Sequence, residues 1–454
     1  MNRREWLKHM TLTAAWMGLP CSMRTALASV GEQPRAHRDL ALQCAAWIES
    51  CSKTAEHGVY WETMPEMPGQ TIPVLYDGMA GIVVFLAELY GTTHDKRWLR
   101  MAEQAADYTI HALPEWIERM GDGLYTGTAG VGFAVASVAQ VGGRAEYDRS
   151  AKKIFSDLMS RAKRTGDGVE WDEINDIISG GAGIGLALLD AHRRWHDKAA
   201  LDFARDAGRR LIAKGETAAE GGTKWFMGDG DFRKNYPNFS HGTAGIAYFL
   251  ATLYERTGDK RFLDAAVSGA TYLEAIATYD DDRMLIFHHD APDGRALYYL
   301  GWCHGPAGTA RLFYRLHKAT GQQRWLDRMH ALTRGVLASG IPETRTPGFW
   351  QNISACCGNV SVGHYFLDLE RNLGDDTARA MIDRIVEDTR QRATIDQTGA
   401  RWMQAENRID PNVQFAQLGY MQGAAGVGTF LLRLDQASRG KSRKIVFPDT
   451  PFVA

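Results

Sequence analysis

The stretch GWCHGPAGTA, residues 301–310, sets a thiol and an imidazole inside a Gly-x-x-Gly turn that opens an apolar run. The pattern recurs along the chain: LYDGMAGIVVFLAEL (75–89), LYTGTAGVGFAVASV (124–138), IISGGAGIGLALLDA (177–191), FSHGTAGIAYFLATL (239–253), ACCGNVSVGHYFLDL (355–369) and YMQGAAGVGTFLLRL (420–434). The leading glycines are Gly78, Gly127, Gly180, Gly242, Gly305, Gly358 and Gly423. Self-similarity at a period of this length marks a chain built from stacked supersecondary units.

Between these runs lies a second recurring element. THDKRWLRMAEQA (93–105), TGDKRFLDAAVSG (257–269) and TGQQRWLDRMHAL (320–332) share a polar turn, an Arg, an aromatic residue and Leu. Segments 37–51, 146–162, 199–215 and 377–393 have the same mixture of apolar and charged positions. That mixture predicts helices packed on one side only, whereas the runs after the glycines predict helices covered all round. A two-helix unit cannot cover its apolar helix alone, so neighbours must flank it. Closing the row into a ring supplies those neighbours for every unit. The expected fold is all-α, an (α/α) toroid of seven outer and seven inner helices over residues 37–435, with 436–454 as a C-terminal tail. Strand signals are weak, and short hairpins in the long loops are the most they allow. Glycines at the turns let seven inner-helix N-termini crowd one end, where their partial positive charges converge.

Composition bounds the function. The 454 residues carry 52 basic and 54 acidic side chains, a net charge of −2, which offers no electrostatic footprint for nucleic acid. The N-terminus has a basic start (Arg3, Arg4, Lys8), a short apolar stretch from Met10 to Leu19, and the small-residue end Ala26-Leu27-Ala28. This is secretory anatomy, and Arg3-Arg4 before Trp6-Leu7-Lys8 resembles a twin-arginine export signal spanning residues 1–28. The expectation is a periplasmic or otherwise exported bacterial protein with no membrane span, acting as a monomer. Six cysteines are too few, and too awkwardly spaced, for a disulfide scaffold.

Three of those cysteines stand at predicted inner-helix starts: Cys303 before Gly305, and Cys356 and Cys357 before Gly358. If units five and six are neighbours, three sulfurs converge, and three soft thiolates with an open fourth position describe a catalytic zinc site. The bland alternative is inert packing. His241, in the turn of unit four, is either a proton carrier or a capping side chain. Asp176, four residues before Gly180, is either its partner or an N-cap. His304 beside Cys303 reads as a partner of the metal ligands. His288-His289-Asp290 reads as a solvated loop. Trp61, Trp171, Trp225, Trp350 and Trp402 precede inner helices, and either line a sugar cleft or anchor loops.

The seven Gly-x-x-Gly turns, WC-x-G and the CCG triplet resemble the lanthionine synthetase C-like family over about residues 37–435. The resemblance implies an α/α toroid with a central Zn2+ held by Cys303, Cys356 and Cys357, His241 as the acid–base residue, and Asp176 as the active-site aspartate. It further implies a peptide or small thiol substrate. A zinc-activated thiol would add to the β-carbon of a dehydroalanine or dehydrobutyrine, giving a thioether. Three departures border the metal: Ser361 replaces the second glycine of unit six, His304 stands where the cyclases often carry Tyr, and Tyr299 where they tend to carry Arg. With Trp302, Tyr299 and His304 are candidates for contacts to the ligands or the substrate. Two rival functions follow from the same features, an exported carbohydrate-active toroid and a non-catalytic zinc–thiol binder of a peptide or glutathione.

Overall fold

The computed structural model describes residues 32–67, 69, 71–345, 352–405 and 408–453. The expected signal segment and Trp350 lie outside the described residues. Seven helices begin one residue after the first glycine of each turn: α2 (Met79–Thr93), α4 (Thr128–Gly142), α6 (Gly181–Trp195), α8 (Thr243–Thr257), α10 (Pro306–Thr320), α12 (Asn359–Leu373) and α14 (Ala424–Ser438). Seven others alternate with them: α1 (Glu32–Ser50), α3 (Lys96–Met120), α5 (Ala145–Ser160), α7 (Lys198–Lys214), α9 (Lys260–Ile276), α11 (Gln323–Leu337) and α13 (Thr377–Gln391).

Burial separates the two sets as the sequence pattern predicts. Every residue from Thr128 to Val138 of α4 is buried, as is every residue from Thr243 to Leu253 of α8. On α7 only Ala200, Ala204, Ala207, Gly208 and Leu211 are buried, one stripe at helical spacing. The connections between inner and outer helices are short, and some are built from paired signals. After α8 the chain turns at Gly258 (φ 69°), and Asp259 then caps α9 by accepting from the Arg261 N–H. A left-handed residue followed by an Asp cap stops one helix and starts the next within two positions.

Each inner helix touches the next, α14 touches α2, and the ring closes. The outer layer closes differently. Each inner helix packs most heavily on the outer helix that follows it, and the first helix, α1, packs on the last, α14. The two ends of the chain are thereby joined in one structural unit, which fastens the ring at its seam.

Hairpins occupy several of the long loops: β1 (Lys53–Ala55) with β2 (Gly58–Tyr60), β3 (Lys163–Thr165) with β4 (Gly168–Glu170), β5 (Glu216–Thr217) with β6 (Thr223–Lys224), and β7 (Thr278–Asp280) with β8 (Arg283–Leu285). A three-stranded sheet joins β9 (Ala393–Asp396), β10 (Gly399–Ala405) and β11 (Gln414–Ala416). Four of the five tryptophans named above secure these loops. The indole N–H groups of Trp61, Trp171, Trp225 and Trp402 donate to the carbonyls of Ile48, Leu158, Leu211 and Thr389, near the ends of outer helices. All four rings are at most 5% exposed. None lines the cavity over the thiols described below, and their burial and carbonyl partners favour the loop-anchor reading.

The segment expected as a tail is not peripheral. Residues 436–438 finish α14, and Ile445, Phe447 and Phe452 are buried. Phe447 packs on Tyr125, Phe133 and Tyr420, and Phe452 stacks on Tyr314. Those partners come from several inner helices and turns, so the segment fills the bore that a ring of seven helices leaves open.

Candidate active site and metal centre

The residue two positions before each leading glycine takes part in a circle of backbone hydrogen bonds. Cys356 N–H donates to Met421, Met421 to Tyr76, Tyr76 to Tyr125, and Tyr125 to Ile178. Ile177 then donates to Ser240, Ser240 to Cys303, and Cys303 to Cys356. Seven turns are thus stitched into one rim, with the inner-helix N-termini directly behind it. Backbone crowding here leaves no space for side chains at the turn glycines. A Cβ on Gly308 would lie 1.9 Å from the Trp302 carbonyl oxygen, and one on Gly245 2.0 Å from that of Phe239.

The sixth unit solves the same problem another way. Ser361 sits where the others have their second glycine, and its Oγ accepts from the Trp302 N–H at 3.3 Å while donating to the Gly358 carbonyl. The room comes from Gly301, whose absent Cβ would lie 2.6 Å from that hydroxyl. This departure therefore braces the turn that carries Cys303.

The rim brings Cys303, Cys356 and Cys357 together, with their sulfur atoms within 4.8 Å of one another and all three side chains buried. Zn–S bonds of ~2.3 Å in a tetrahedral site put sulfurs roughly 3.8 Å apart, inside that bound. Hydrogen bonds from the Cys303 and Cys356 thiols hold Cys357 well below the ordinary thiol range, while burial pushes Cys303 well above it. Three soft donors that cannot all ionise together without a cation are a donor set suited to a divalent ion. The ligands are themselves held. The Tyr76 hydroxyl lies 3.0 Å from Cys356 Sγ and receives a hydrogen bond from Gln422 Nε2, and Asn352 Nδ2 lies 3.5 Å from Cys357 Sγ. Burial, then the neighbouring sulfurs, keeps the Tyr76 hydroxyl protonated and so a donor.

A cavity of about 570 Å³ opens over the thiols, lined also by His241, His288, His304, Tyr299 and Arg408. His241 Nδ1 lies 2.5 Å from Asp176 Oδ2, and Asp176 is fully buried. The other oxygen, Oδ1, accepts from the backbone N–H groups of Ser179 and Gly180 at the start of α6. One Asp176 oxygen thus fastens the turn ahead of α6, while the other pairs with the His241 ring. His304 is 8% exposed, its two ring nitrogens have no hydrogen-bond partner among the described residues, and it stacks on His288 at 4.0 Å. Burial pushes its pKa well below the usual imidazole value, and the neighbouring histidines add to the shift.

Two sequence expectations change here, and two residues join the site. His288 is not a fully solvated loop residue, because the chain after β8 folds over the turns and leaves it half-buried against Tyr299 and His304. Trp302 is absent from this cavity, and its indole points down the bore to Asp449 at 3.0 Å. Tyr76 and Arg408 face the site without having been singled out. Tyr76 occupies the rim position that Cys303 and Cys356 hold in their own units, and that periodicity was the available signal.

Comparison with known proteins agrees with the geometry. Over residues 237 long, the chain is 29% identical to a probable SapB synthase from Streptomyces coelicolor, a match covering 49% of this chain and 23% of that one. The chain thus corresponds to about a quarter of that longer protein. The solved structure of nisin cyclase superimposes with a TM-score of 0.62 at 14% identity, covering 89% of this chain and 95% of the cyclase. The family described as lanthionine synthetase C-like protein matches residues 71–447, from the first turn through the segment that fills the bore. With the seven-turn rim and its three converging thiols already in place, that match makes this chain a member of the lanthionine synthetase C-like family.

Proposed function

We propose that this protein is a zinc-dependent cyclase-like enzyme that adds a thiol to a dehydroamino acid in a peptide, forming a thioether. The observation that carries the reading is the Asp176–His241 pair facing the same cavity as three clustered cysteines. A zinc ion held by Cys303, Cys356 and Cys357 would supply Lewis acidity that favours the thiolate form of a substrate thiol at neutral pH.

The residues of the chain account for the proton. With Nδ1 engaged by Asp176, His241 lines the cavity and has Nε2 left for the substrate. It accepts the thiol proton as sulfur bonds to the β-carbon and the π electrons move toward the α-carbon and its carbonyl. The imidazolium then returns that proton to the α-carbon. One S–H bond and one C=C π bond are exchanged for one C–S and one C–H bond, with no other reactant. Asp176 stabilises the transient imidazolium and fixes the ring. Arg408 lines the cavity, and the inner-helix N-termini add positive potential around it. Both favour the electron-rich carbonyl that forms. Membership in the family and the buried tryptophans support this reading over a carbohydrate-active one. The proton-handling pair supports it over a passive thiol binder.

The test is incubation of zinc-loaded protein with a dehydrated, cysteine-containing peptide, followed by thiol alkylation and mass spectrometry. Cyclisation leaves the mass unchanged and removes an alkylation site. Full alkylation of every peptide tried, with zinc bound one to one, would overturn the proposal. We also propose export through the twin-arginine route. A reporter fused to residues 1–28 should reach the periplasm only when Arg3-Arg4 is intact.

A further inference from the structure

Below the thiol site lies a second cavity of about 40 Å³, lined by Trp302, Arg311, His364, Arg433, Arg443 and Asp449 among others. It exceeds the space one water needs and suits a monatomic anion. The lining holds three guanidinium groups and one carboxylate. Arg311 Nη1 pairs with Asp449 Oδ2 at 2.8 Å, and Arg443 pairs with Asp368. Arg433 reaches no carboxylate among the described residues, and its Nη1 contacts only the neutral ring nitrogen Nδ1 of His364, at 3.1 Å. Glu88 also faces this end of the bore, but its oxygens are taken by Gln436 Nε2 and the N–H groups of Lys444 and Ile445.

Each of the three arginines also keeps a buried donor without an acceptor: Arg311 Nε, Arg433 Nε and Arg443 Nη1. The Arg443 side chain is only 4% exposed and His364 only 7%. A buried guanidinium with unmade hydrogen bonds is costly. Asp368, Glu88 and Asp449 act on Arg433 from a distance, but none of them takes these three N–H groups. The partner that fits is a compact acceptor approachable from several sides.

We propose that this cavity binds one chloride-sized monoanion, held by Arg433 with Arg443 and Arg311. Arg311 comes from α10 and Arg433 from α14, while Arg443 belongs to the bore-filling C-terminal segment. The ion therefore ties that segment to the ring beneath Trp302, one residue from Cys303. It acts as a structural clamp on the floor of the thiol site and is separate from the proposed substrate cavity.

Two measurements on the full chain decide the matter. Crystals soaked in sodium bromide should show one anomalous peak among the three guanidinium groups. In solution, the thermal midpoint should rise by about 3–6 °C between gluconate and chloride at equal ionic strength, and the rise should saturate. Arg433→Met should abolish the chloride increment. If that variant does not fold, the bromide map and the titration of the unsubstituted protein still give the answer. Absence of a bromide peak, equal midpoints in chloride and gluconate, or a rise with phosphate alone would each overturn the assignment.

Discussion

His241 and Asp176 meet at 2.5 Å across 65 residues of sequence, one from the fourth turn and one from the loop entering the third. The ring makes those turns neighbours, and the Ile177 N–H bond to the Ser240 carbonyl locks their register one residue away from each partner. Asp176→Asn keeps an oxygen for the Ser179 and Gly180 N–H groups but removes the charge that supports an imidazolium. Turnover should fall about 10²–10⁴-fold with zinc content unchanged. Loss of metal in this variant would show that Asp176 acts through the fold and not through His241.

The hydroxyl of Tyr76 is the structure's addition to the proposed metal centre. Tyr76→Phe removes its contact to Cys356 Sγ and leaves Gln422 without that partner. Partners of metal ligands typically contribute 10–100-fold in metal affinity, so a chelator competition should show weakening of about that size. An unchanged dissociation constant would reduce Tyr76 to packing.

Gly308 carries no chemistry, yet Gly308→Ala should disrupt the centre. Its Cβ would meet the Trp302 carbonyl at 1.9 Å and force the Cys303 turn to shift. Zinc stoichiometry should drop along with stability. Ser361→Ala, which removes only the hydroxyl bond to the Trp302 N–H, should do the same more mildly.

Trp225→Phe should lower unfolding free energy by roughly 1–3 kcal/mol in urea titrations, because the Leu211 carbonyl loses a buried donor. Zinc content and turnover should stay near normal. A large activity loss in a folded protein would revive a ligand-lining role for these rings.

Acid should destabilise the protein before its carboxylates titrate. Burial, then the His289 charge, lowers His288 from 6.5 to about 3, and burial holds His364 well below the usual value. Between those values and 6.5 the unfolded chain binds more protons than the folded one, so stability rises with pH. The contribution is fully present above pH 6.5 and is lost as pH falls toward 3, at up to about 1.4 kcal/mol per pH unit for each imidazole. Denaturant midpoints from pH 7.5 down to 5 should therefore decline, and His288→Asn should flatten the slope.

The repeat was legible in the residues because apolar periodicity and turn glycines are local requirements, imposed on each unit by its own two helices. Seven copies, the sorting of inner from outer helices, and the grouping of Cys303, Cys356 and Cys357 at turns all follow from reading along the chain. Facts that depend on which turn lies opposite which are not written locally. The rim of backbone bonds, the reach of Tyr76 to Cys356, the folding of His288 over the site and the packing of Ile445, Phe447 and Phe452 into the bore arise only when the ring closes. Closure juxtaposes residues up to hundreds of positions apart, and it leaves a central space that some segment must fill. A one-dimensional pattern cannot say which segment that will be, because the choice is made by shape and charge inside the completed ring.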